Sequence, residues 1–488
     1  MKARLFSILV ILAIGLAGIA KPAQAQAYTT AFTTSITYQN VGTADTTTLQ
    51  ILFYDSPTQT VPIVITRNNL AAGAGTSVSI GTLGTINPGF KGSAVMQADQ
   101  PLLATLVQVP GAGAVKVRPL SNGFAAGAPQ SLIATVLKNQ FGNNTIFSVQ
   151  NVDSEDNMID IKFYDTTATL VYHCDATKAP CNTAVASGGA LYWDAGVAGD
   201  PLPNPFNGSA VVTATRVGGG DGAIVSTALE LEITTNGGKA FQGVAEGATT
   251  FYMPSALCNY VVSNQNTNTS YAIQNTSLTT STDVTVTYSN SIAQTKTIGA
   301  GAKASFVACQ ATGMTSGFIG SATVTSTATP VVAIGKAYGA GLSTAFEGVA
   351  QGAGSAKVAL PYVRYATDAN WNAGIQQRVF ITIQNIGAAA ISGDVVVQYV
   401  TCTGTVAGTH TITGGIAIGA KKNSNATLTA EHLTEFGLCG NGGPQFGGGA
   451  MITAPAGSQL AVVARVVTLD TATNLPVGED YDGQNVAP

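Results

Sequence analysis

Six cysteines, three histidines and two acidic loops are the residues of this 488-residue chain that could carry chemistry. The cysteines form no CxxC pair, and no histidine lies at metal-ligand spacing from two of them, so no zinc site is indicated. His173, His410 and His432 have no nucleophile motif such as G-x-S-x-G nearby. The sequence therefore predicts no catalytic residue, no cofactor and a protein that is not an enzyme.

The two acidic loops offer carboxylates that calcium could use. Calcium takes about six to eight oxygen ligands, which closely spaced Asp, Asn and Glu can help to supply. Neither loop matches an EF-hand, so a solvated turn is the preferred interpretation and calcium binding stays open. The calcium candidates are Asp153, Glu155, Asp156 and Asp160 in the first loop and Asp480 and Asp482 in the second.

Two tryptophans could stack on a sugar or on a partner protein. Trp193 and Trp371 lie among Gly, Asp and Asn residues, which are typical of loops. A loop tryptophan can also fold back onto the core, and this is the preferred interpretation. Glycan binding by loop aromatics is kept as the alternative function of a multi-module protein. An enzyme with paired carboxylates is a third hypothesis, although nothing in the sequence singles out a pair.

Charged residues make up only 9% of the chain, whereas hydrophobic residues make up 45%. An average globular protein has about 25% charged residues. The 21 Lys and Arg face 25 Asp and Glu, so the basic excess of a nucleic-acid-binding protein is missing. The apolar content is also too high for bulk disorder. The composition excludes nucleic acid as a partner and indicates a folded chain that is polar without being ionic.

The first 27 residues have the pattern of a secretory signal peptide. Lys2 and Arg4 precede the apolar run 5–20, and two A-x-A sites end at Ala25 and Ala27. The short, glycine-interrupted run favours cleavage over an uncleaved anchor, and no other stretch is long enough to span a membrane. We therefore expect a secreted chain without a transmembrane segment, either extracellular or on the cell surface, with the periplasm as the alternative.

Three landmarks recur four times in the same order and define four units. A Gln-Asn pair ends an alternating apolar run, a second run ends in tyrosine 14 or 15 residues later, and a Phe-x-Gly-Ser-Ala segment or its Gly-rich variant follows. Self-similarity of this kind indicates a repeat architecture. The glutamines are Gln39, Gln150, Gln274 and Gln384, the tyrosines are Tyr54, Tyr164, Tyr288 and Tyr399, and the third segments begin at Phe90, Phe206, Phe318 and Phe446.

Each unit consists of short period-two runs separated by turn residues. About seven such strands in roughly 100 residues are typical of an immunoglobulin-like sandwich, with a small up-and-down barrel as the alternative. The sequence predicts an all-β tandem array of four such domains. Only a few residues join them, so we expect a stiff, elongated string about 150 Å long. The boundaries are 1–27 for the signal peptide, 28–125 for unit 1, 126–248 for unit 2, 249–354 for unit 3 and 355–488 for unit 4.

The cysteines follow the same division. In the oxidising compartment that the signal peptide implies, six cysteines indicate three disulfides. Units 2, 3 and 4 each hold two cysteines and unit 1 holds none, so pairing within units is predicted. The pairs are Cys174–Cys181, Cys258–Cys309 and Cys402–Cys439.

The run Ile-Gln-Asn-x-Gly at 383–387, followed by the strand-like segment 394–400, resembles bacterial extracellular Ig-like modules of the CARDB (cell-adhesion-related) type. The resemblance covers about a third of each unit. It implies display on a surface and adhesion to copies of the same protein or to other surface proteins, and it transfers no catalytic residue. The resulting hypothesis is a secreted, non-enzymatic structural or adhesive protein of the bacterial surface.

Unit 1 differs from the other units at its start. Units 2 to 4 open with an additional apolar run ahead of the Gln-Asn strand, for which unit 1 has no room; these runs begin at Leu132, Phe251 and Val358. Unit 1 could therefore lack its first strand and expose a sheet edge that accepts a strand from another chain. Alternatively, the segment 28–32 forms a short first strand by itself. The second interpretation is preferred.

Overall fold

The structure is a computed structural model that describes residues 31–111, 117–232, 237–262, 265–339, 342–367, 375–439, 445–470 and 475–486. The predicted signal peptide lies outside these residues. The described chain consists of antiparallel sheets and confirms the predicted all-β fold. In this part of the chain no helix could span a membrane. Its helical segments are the single 3₁₀ turns Ile80–Thr82, Ala308–Gln310 and Ala426–Leu428.

The strands follow the period-two pattern of the sequence. In β10 of unit 2, for example, Ile159, Ile161 and Phe163 face the core, whereas Asp160 and Lys162 between them are only half-buried. The strands of units 1 and 2 are β1 (Phe32–Asn40), β2 (Leu49–Tyr54), β3 (Ile63–Thr66), β4 (Gly75–Ser79), β5 (Ser93–Ala98), β6 (Leu102–Pro110), β7 (Leu120–Asn122), β8 (Gln130–Lys138), β9 (Asn143–Asn151), β10 (Asn157–Asp165), β11 (Leu170–Cys174), β12 (Ala190–Asp194), β13 (Phe206–Arg216), β14 (Ile224–Glu232) and β15 (Gly238–Gln242).

Units 3 and 4 repeat this arrangement with additional short strands. Their strands are β16 (Thr250–Cys258), β17 (Tyr260–Val262), β18 (Gln265–Asn275), β19 (Thr282–Tyr288), β20 (Ala293–Ile298), β21 (Lys303–Val307), β22 (Phe318–Ser326), β23 (Val331–Gly339), β24 (Leu342–Glu347), β25 (Val349–Ala350), β26 (Lys357–Leu360), β27 (Tyr365–Ala366), β28 (Ile375–Asn385), β29 (Val395–Val400), β30 (Val406–Ile412), β31 (Lys421–Ser424), β32 (Leu438–Cys439), β33 (Gln445–Phe446), β34 (Gly449–Thr453), β35 (Leu460–Asp470), β36 (Leu475–Asp482) and β37 (Gln484–Asn485).

Each unit is a two-sheet sandwich, and unit 2 shows the pattern in full. One sheet has the order β11-β10-β13-β8 and the other the order β12-β9-β14-β15. In an immunoglobulin domain the first strand pairs with the second and the last pairs with the sixth. Here the first strand, β8, pairs with the sixth, β13, and the seventh, β14, pairs with the second, β9. The first and seventh strands have therefore exchanged sheets. In units 3 and 4 the first strands β16 and β26 likewise lie beside β22 and β34.

The four units form a closed ring, so the predicted elongated string is wrong. Each unit ends in a short strand, and these strands (β7, β15, β24 and β36) pack against one another in order around a common centre, with β36 returning to β7. Units 1 and 4 therefore touch: the Asn122 side chain donates to the Asp482 carbonyl at 2.7 Å. Short joints limit swinging, but a similar turn at every joint closes a head-to-tail array into a ring.

The repeated landmarks hold both the units and the ring together. Inside unit 2, the Asn151 side chain donates to two loop carbonyls at 2.8 Å. The neighbouring Gln150 reaches into unit 1, where it donates to the Ala94 carbonyl at 3.3 Å. The Tyr54 ring of unit 1 covers Gly188 of unit 2, which has a φ of +83° and whose added Cβ would lie 2.3 Å from that ring. Residues of the Gln-Asn, Tyr and Gly-Ser-Ala motifs thus form contacts between consecutive units.

Candidate interaction surface on the open edge of unit 1

The sheet of unit 1 that contains β5 ends at that strand within the described residues. Its order is β3-β2-β5, whereas the corresponding sheets of units 2 to 4 continue with β8, β16 and β26. The strand that lies inside the sheet in three units is therefore an edge strand in unit 1. Every sheet has edges, but this one occupies a position that the same chain covers three times.

The register of β5 shows which of its backbone groups point outward. The Asp99 N–H donates to the Thr48 carbonyl at 3.2 Å, on the same register in which Ala98 lies opposite Leu49. Hydrogen-bonded and non-bonded pairs alternate along an antiparallel ladder. The backbone groups of Ala94, Met96 and Ala98 therefore point away from β2, towards the open side. The three residues form what we call the open edge.

The counterparts of Ala98 make a hydrogen bond in every other unit. The donors are Ala214, Ser326 and Ala454. Each N–H group donates to the carbonyl of the residue that directly precedes the first strand of its unit. The bonds are Ala214 N to Pro129 O at 2.9 Å, Ser326 N to Thr249 O at 2.9 Å and Ala454 N to Ala356 O at 2.8 Å. No strand of the described chain provides such an acceptor for Ala98.

The open edge also lacks a core side chain. Opposite the alanine of the third landmark, units 2, 3 and 4 place Ile133, Met253 and Leu360, each 0% exposed. Without such a residue, Ala94 and Met96 are only half-buried, although they pack on the core of unit 1. Among the residues that the structure describes, unit 1 therefore lacks one strand that the other units have, both in hydrogen bonding and in packing.

The prediction that 28–32 forms a separate first strand is wrong for the part that the structure describes. Phe32 begins β1 itself and pairs with Pro110 of β6, in the other sheet of the sandwich. Residues 28–30 lie outside the described residues. The physical reason is the alternation of the sequence, which continues without a turn signal from Phe32 into the Gln-Asn strand.

Two disulfides are formed in the described structure, at 2.04 Å for Cys174–Cys181 and 2.02 Å for Cys258–Cys309. These are the pairs that the distribution of two cysteines per unit predicts. Cys402 is also disulfide-bonded, but the side chain of Cys439 lies outside the description. Unit 1 has neither a disulfide nor a covered first-strand position.

Several carboxylates of the two acidic loops have partners other than a metal ion. Asp153 accepts from Arg216 Nε at 2.8 Å, and Asp160 contacts His173 Nε2 at 2.5 Å. Glu155 and Asp156 are exposed in the turn. Asp480 forms an ion pair with Arg465 at 2.7 Å. Within the described residues no three His, Cys, Asp or Glu side chains come together to hold a metal ion. Among the calcium candidates, Asp482 lines a cavity.

Trp193 does not offer a binding surface. It lies on β12 and is 4% exposed, with its ring 4.7 Å from that of Phe163 and stacked on Phe147 at 6.5 Å. Trp193 packs on the core, as the preferred interpretation predicts. It lies on a strand, however, and not in a loop. Trp371 lies outside the described residues.

A cluster of buried charged side chains lies between units 2 and 3. Glu230 of unit 2 is 2% exposed and pairs with Lys239 at 2.9 Å and with Lys336 of unit 3. These two lysines lower the pKa of Glu230 to about 2 despite its burial. Burial lowers the pKa of the neighbouring Lys303 to about 7. The cluster joins two units, and the arrangement is that of a structural ion-pair network.

Comparisons with known proteins give no close relative. No protein-family profile matches the chain, and no curated protein does. Solved structures with some similarity include the serine-rich repeat protein Srr2 of Streptococcus agalactiae (6% identity, 79% of this chain and 86% of that chain, TM-score 0.11). The C-terminal domain of the antigen I/II-family protein AspA of Streptococcus pyogenes has 7% identity over 74% of this chain and 100% of that chain, with a TM-score of 0.11.

A third similar structure is the α-L-rhamnosidase of Streptomyces avermitilis in complex with L-rhamnose. It has 9% identity over 89% of this chain and 54% of that chain, with a TM-score of 0.10. TM-scores this low do not establish a common arrangement of strands. These three similarities assign neither an adhesive nor an enzymatic role to this chain.

Proposed function

We propose that this chain is a secreted, non-enzymatic structural or adhesive protein of the bacterial surface, and that it binds an extended strand of another polypeptide at the open edge of unit 1. The observation that carries the proposal is the outward N–H of Ala98, whose counterparts in three units all bond to a first strand. The signal-peptide pattern, the disulfides and the CARDB-like motifs support the location outside the cell.

The other units define the chemistry of the strand that would fit. It runs antiparallel to β5, as β8 runs to β13, and it places a large aliphatic side chain opposite Ala94, where unit 2 has Ile133. Backbone hydrogen bonds would supply affinity and the aliphatic residue would supply specificity, as in other cases of strand addition. The strands β8, β16 and β26 are paired inside their own units, so the partner is an extended segment of a different chain.

A synthetic peptide of residues 129–138, which contains β8 and the Pro129 carbonyl that accepts from Ala214, tests the proposal directly. We expect saturable one-to-one binding to the purified protein in calorimetry. A peptide with aspartate at the position of Ile133 should fail to bind, because a charge would face the apolar core. Absence of binding by the parent peptide, or equal binding of both peptides, would contradict strand addition.

Two proline variants separate the open edge from the other edge of the same sheet. Ala98→Pro removes an N–H that points to the open side, and we expect it to weaken peptide binding about tenfold, the effect of losing roughly one hydrogen bond together with steric conflict. Thr66→Pro is the matched control, since Arg67 N bonds to Leu49 O and the alternation directs the Thr66 N–H away from β2. It should leave binding unchanged. Equal loss in both variants would contradict the assignment of the edge.

Glycan binding is not proposed for the described part of the chain. The interpretation depended on exposed aromatic side chains, and Trp193 is buried in the core of unit 2. The acid-lined cleft that an enzyme with paired carboxylates would need is likewise not part of the proposal.

A further inference from the structure

The centre of the ring holds a cavity to which all four units contribute. Its volume is about 310 Å³, and its lining includes Asn122, Gln242, Glu347 and Asp482. The strand register shows that these four positions are equivalent. In unit 1, for example, Asn122 lies opposite Thr105, which in turn lies opposite Thr37, two residues before Gln39. The other three residues are related in the same way to the glutamines of their own units. Each is also followed by a glycine. The ring thus brings one polar residue per unit to a common point.

Hydrogen bonds connect these four residues in a circle. Asn122 donates to the Asp482 carbonyl at 2.7 Å, and Gln242 Nε2 donates to the Asn122 carbonyl at 3.1 Å. The Gln242 N–H donates to Glu347 Oε1 at 2.5 Å, and the Glu347 N–H donates to Asp482 Oδ2 at 2.8 Å. The carboxylates of Glu347 and Asp482 are therefore fixed in position by the backbone of the ring.

One oxygen in this circle has no partner. Asp482 Oδ1 is buried without a hydrogen bond, and the residue is only 9% exposed. The described residues that line the cavity include three carboxylates, of Glu246, Glu347 and Asp482, but no Lys, Arg or His. A buried carboxylate oxygen without a counter-ion is costly, so Asp482 either holds a proton or needs a cation in the cavity to offset its charge.

The rest of the lining favours an organic cation over a metal ion. Val244, Phe251 and Val349 give the cavity apolar walls, and its size falls at the lower end of pockets for small molecules, about 300 Å³ and upward. As stated above, no three metal-binding side chains converge in the described chain. An ammonium group supplies N–H donors to two carboxylates, and an aliphatic stem suits the walls.

We infer that the axial cavity binds a small aliphatic ammonium ion, with its nitrogen at the Asp482 and Glu347 carboxylates and its hydrocarbon stem against Val244, Phe251 and Val349. The ion would bridge groups from units 2, 3 and 4, so occupancy would strengthen the ring. Burial and the nearby Glu347 charge raise the pKa of the Asp482 carboxyl well above its ordinary value, and a bound cation would reverse part of that shift.

Calorimetry with n-butylammonium chloride, 1-butanol and calcium chloride on the purified protein tests the inference. We expect saturable one-to-one binding of n-butylammonium near neutral pH and no binding of the neutral alcohol. Binding of butanol with equal affinity would show an apolar pocket only, and binding of calcium alone would show a metal site; either result overturns the inference. If no compound binds, the two carboxylates share a proton instead, and the inference is wrong.

Substitutions identify the atoms involved. Asp482→Asn keeps an oxygen that can accept the Glu347 N–H but removes the charge, and the affinity for n-butylammonium should fall at least about tenfold. Glu155→Gln, an exposed carboxylate of unit 2 that does not line the cavity, is the matched control and should change the affinity about twofold at most. If Asp482→Asn does not fold, Glu347→Gln provides the same test. Unchanged affinity in a folded variant of either Asp482 or Glu347 contradicts the site.

Discussion

Units 1 and 2 have the same landmarks and the same core strands, but only unit 2 covers its landmark strand. In unit 2, Ala210 and Val212 on β13 are 0% exposed beneath β8. In unit 1, the equivalent Ala94 and Met96 on β5 are half-buried. The sequence of the landmark is almost the same in both, so exposure of this strand depends on the neighbour that covers it. Nearly the same motif is therefore buried in the core of one unit and half-exposed at a sheet edge in another.

The largest difference between the units is expected from the disulfides, which unit 1 lacks. The Cys258–Cys309 bond spans a sequence separation of 51, compared with 7 for Cys174–Cys181. Closure of the longer loop should stabilise unit 3 by about 4 kcal/mol, and closure of the shorter loop should stabilise unit 2 by about 2.5 kcal/mol. Serine replacement of each pair, followed by unit-resolved hydrogen exchange during urea titration, measures these values.

The unit 1 amides provide the internal control for this experiment. Reduction of either bond should leave their exchange nearly unchanged until the ring opens. If the two serine variants destabilise all four units equally, the units unfold together and the comparison between units fails.

A core substitution at equivalent positions gives the next largest difference. Ile452 of unit 4 is 0% exposed beneath β26, and its truncation to alanine should cost roughly 2–5 kcal/mol. Met96 occupies the same position in unit 1 but is half-buried, so Met96→Ala should cost less than about 1 kcal/mol. Chemical denaturation of the two variants measures both costs. A Met96→Ala cost as large as that of Ile452→Ala would mean that the open edge is covered in solution.

The last difference concerns pH at the joint where unit 4 returns to unit 1. Glu479 accepts a hydrogen bond from the Arg118 N–H, and burial raises the pKa of its carboxyl from 4.5 to about 8. The folded state thus holds a proton that the unfolded chain releases. The resulting stabilisation is complete below pH 4.5 and is lost as the pH rises through about 8.

Glu479→Gln removes this titration while keeping an oxygen acceptor for Arg118. The fall in melting temperature between pH 5 and pH 8, which lies between the ordinary pKa of 4.5 and the raised pKa of about 8, should be smaller in the variant than in the parent protein. The exposed Glu246→Gln variant should behave like the parent. An unchanged fall in Glu479→Gln would show that this carboxyl does not control the joint.

The all-β fold and the four-unit repeat could be predicted because both are recorded locally. Period-two runs specify strands wherever one face is buried, as in β10 with Ile159, Ile161 and Phe163. Trp193 and its neighbours on β12 show the same alternation of buried and half-buried residues. A strand prediction for this segment would have placed the Trp193 side chain in the core. The turn residues around it led instead to the expectation of a loop.

The ring could not be predicted in this way, because its contacts join residues that are far apart in sequence. The bond from Asn122 to Asp482 joins positions separated by 360 residues, and Lys336 meets Glu230 across 106. The angle at each joint depends on such side-chain contacts and not on the length of the linker. The sequence indicated the open edge in part, because the predicted signal peptide stands where units 2 to 4 have the apolar run of their first strand. Its outward N–H groups required the strand register.

Hydrogen exchange at the equivalent amides of Ala98 and Ala214 tests the open edge most directly. Ala214 N bonds to Pro129 O at 2.9 Å, so its amide should exchange slowly, with the stability of unit 2. The amide of Ala98 should exchange rapidly in the protein alone and slowly when the peptide of residues 129–138, which supplies the Pro129 carbonyl, is bound. Equal protection of both amides without the peptide would contradict an open edge in unit 1.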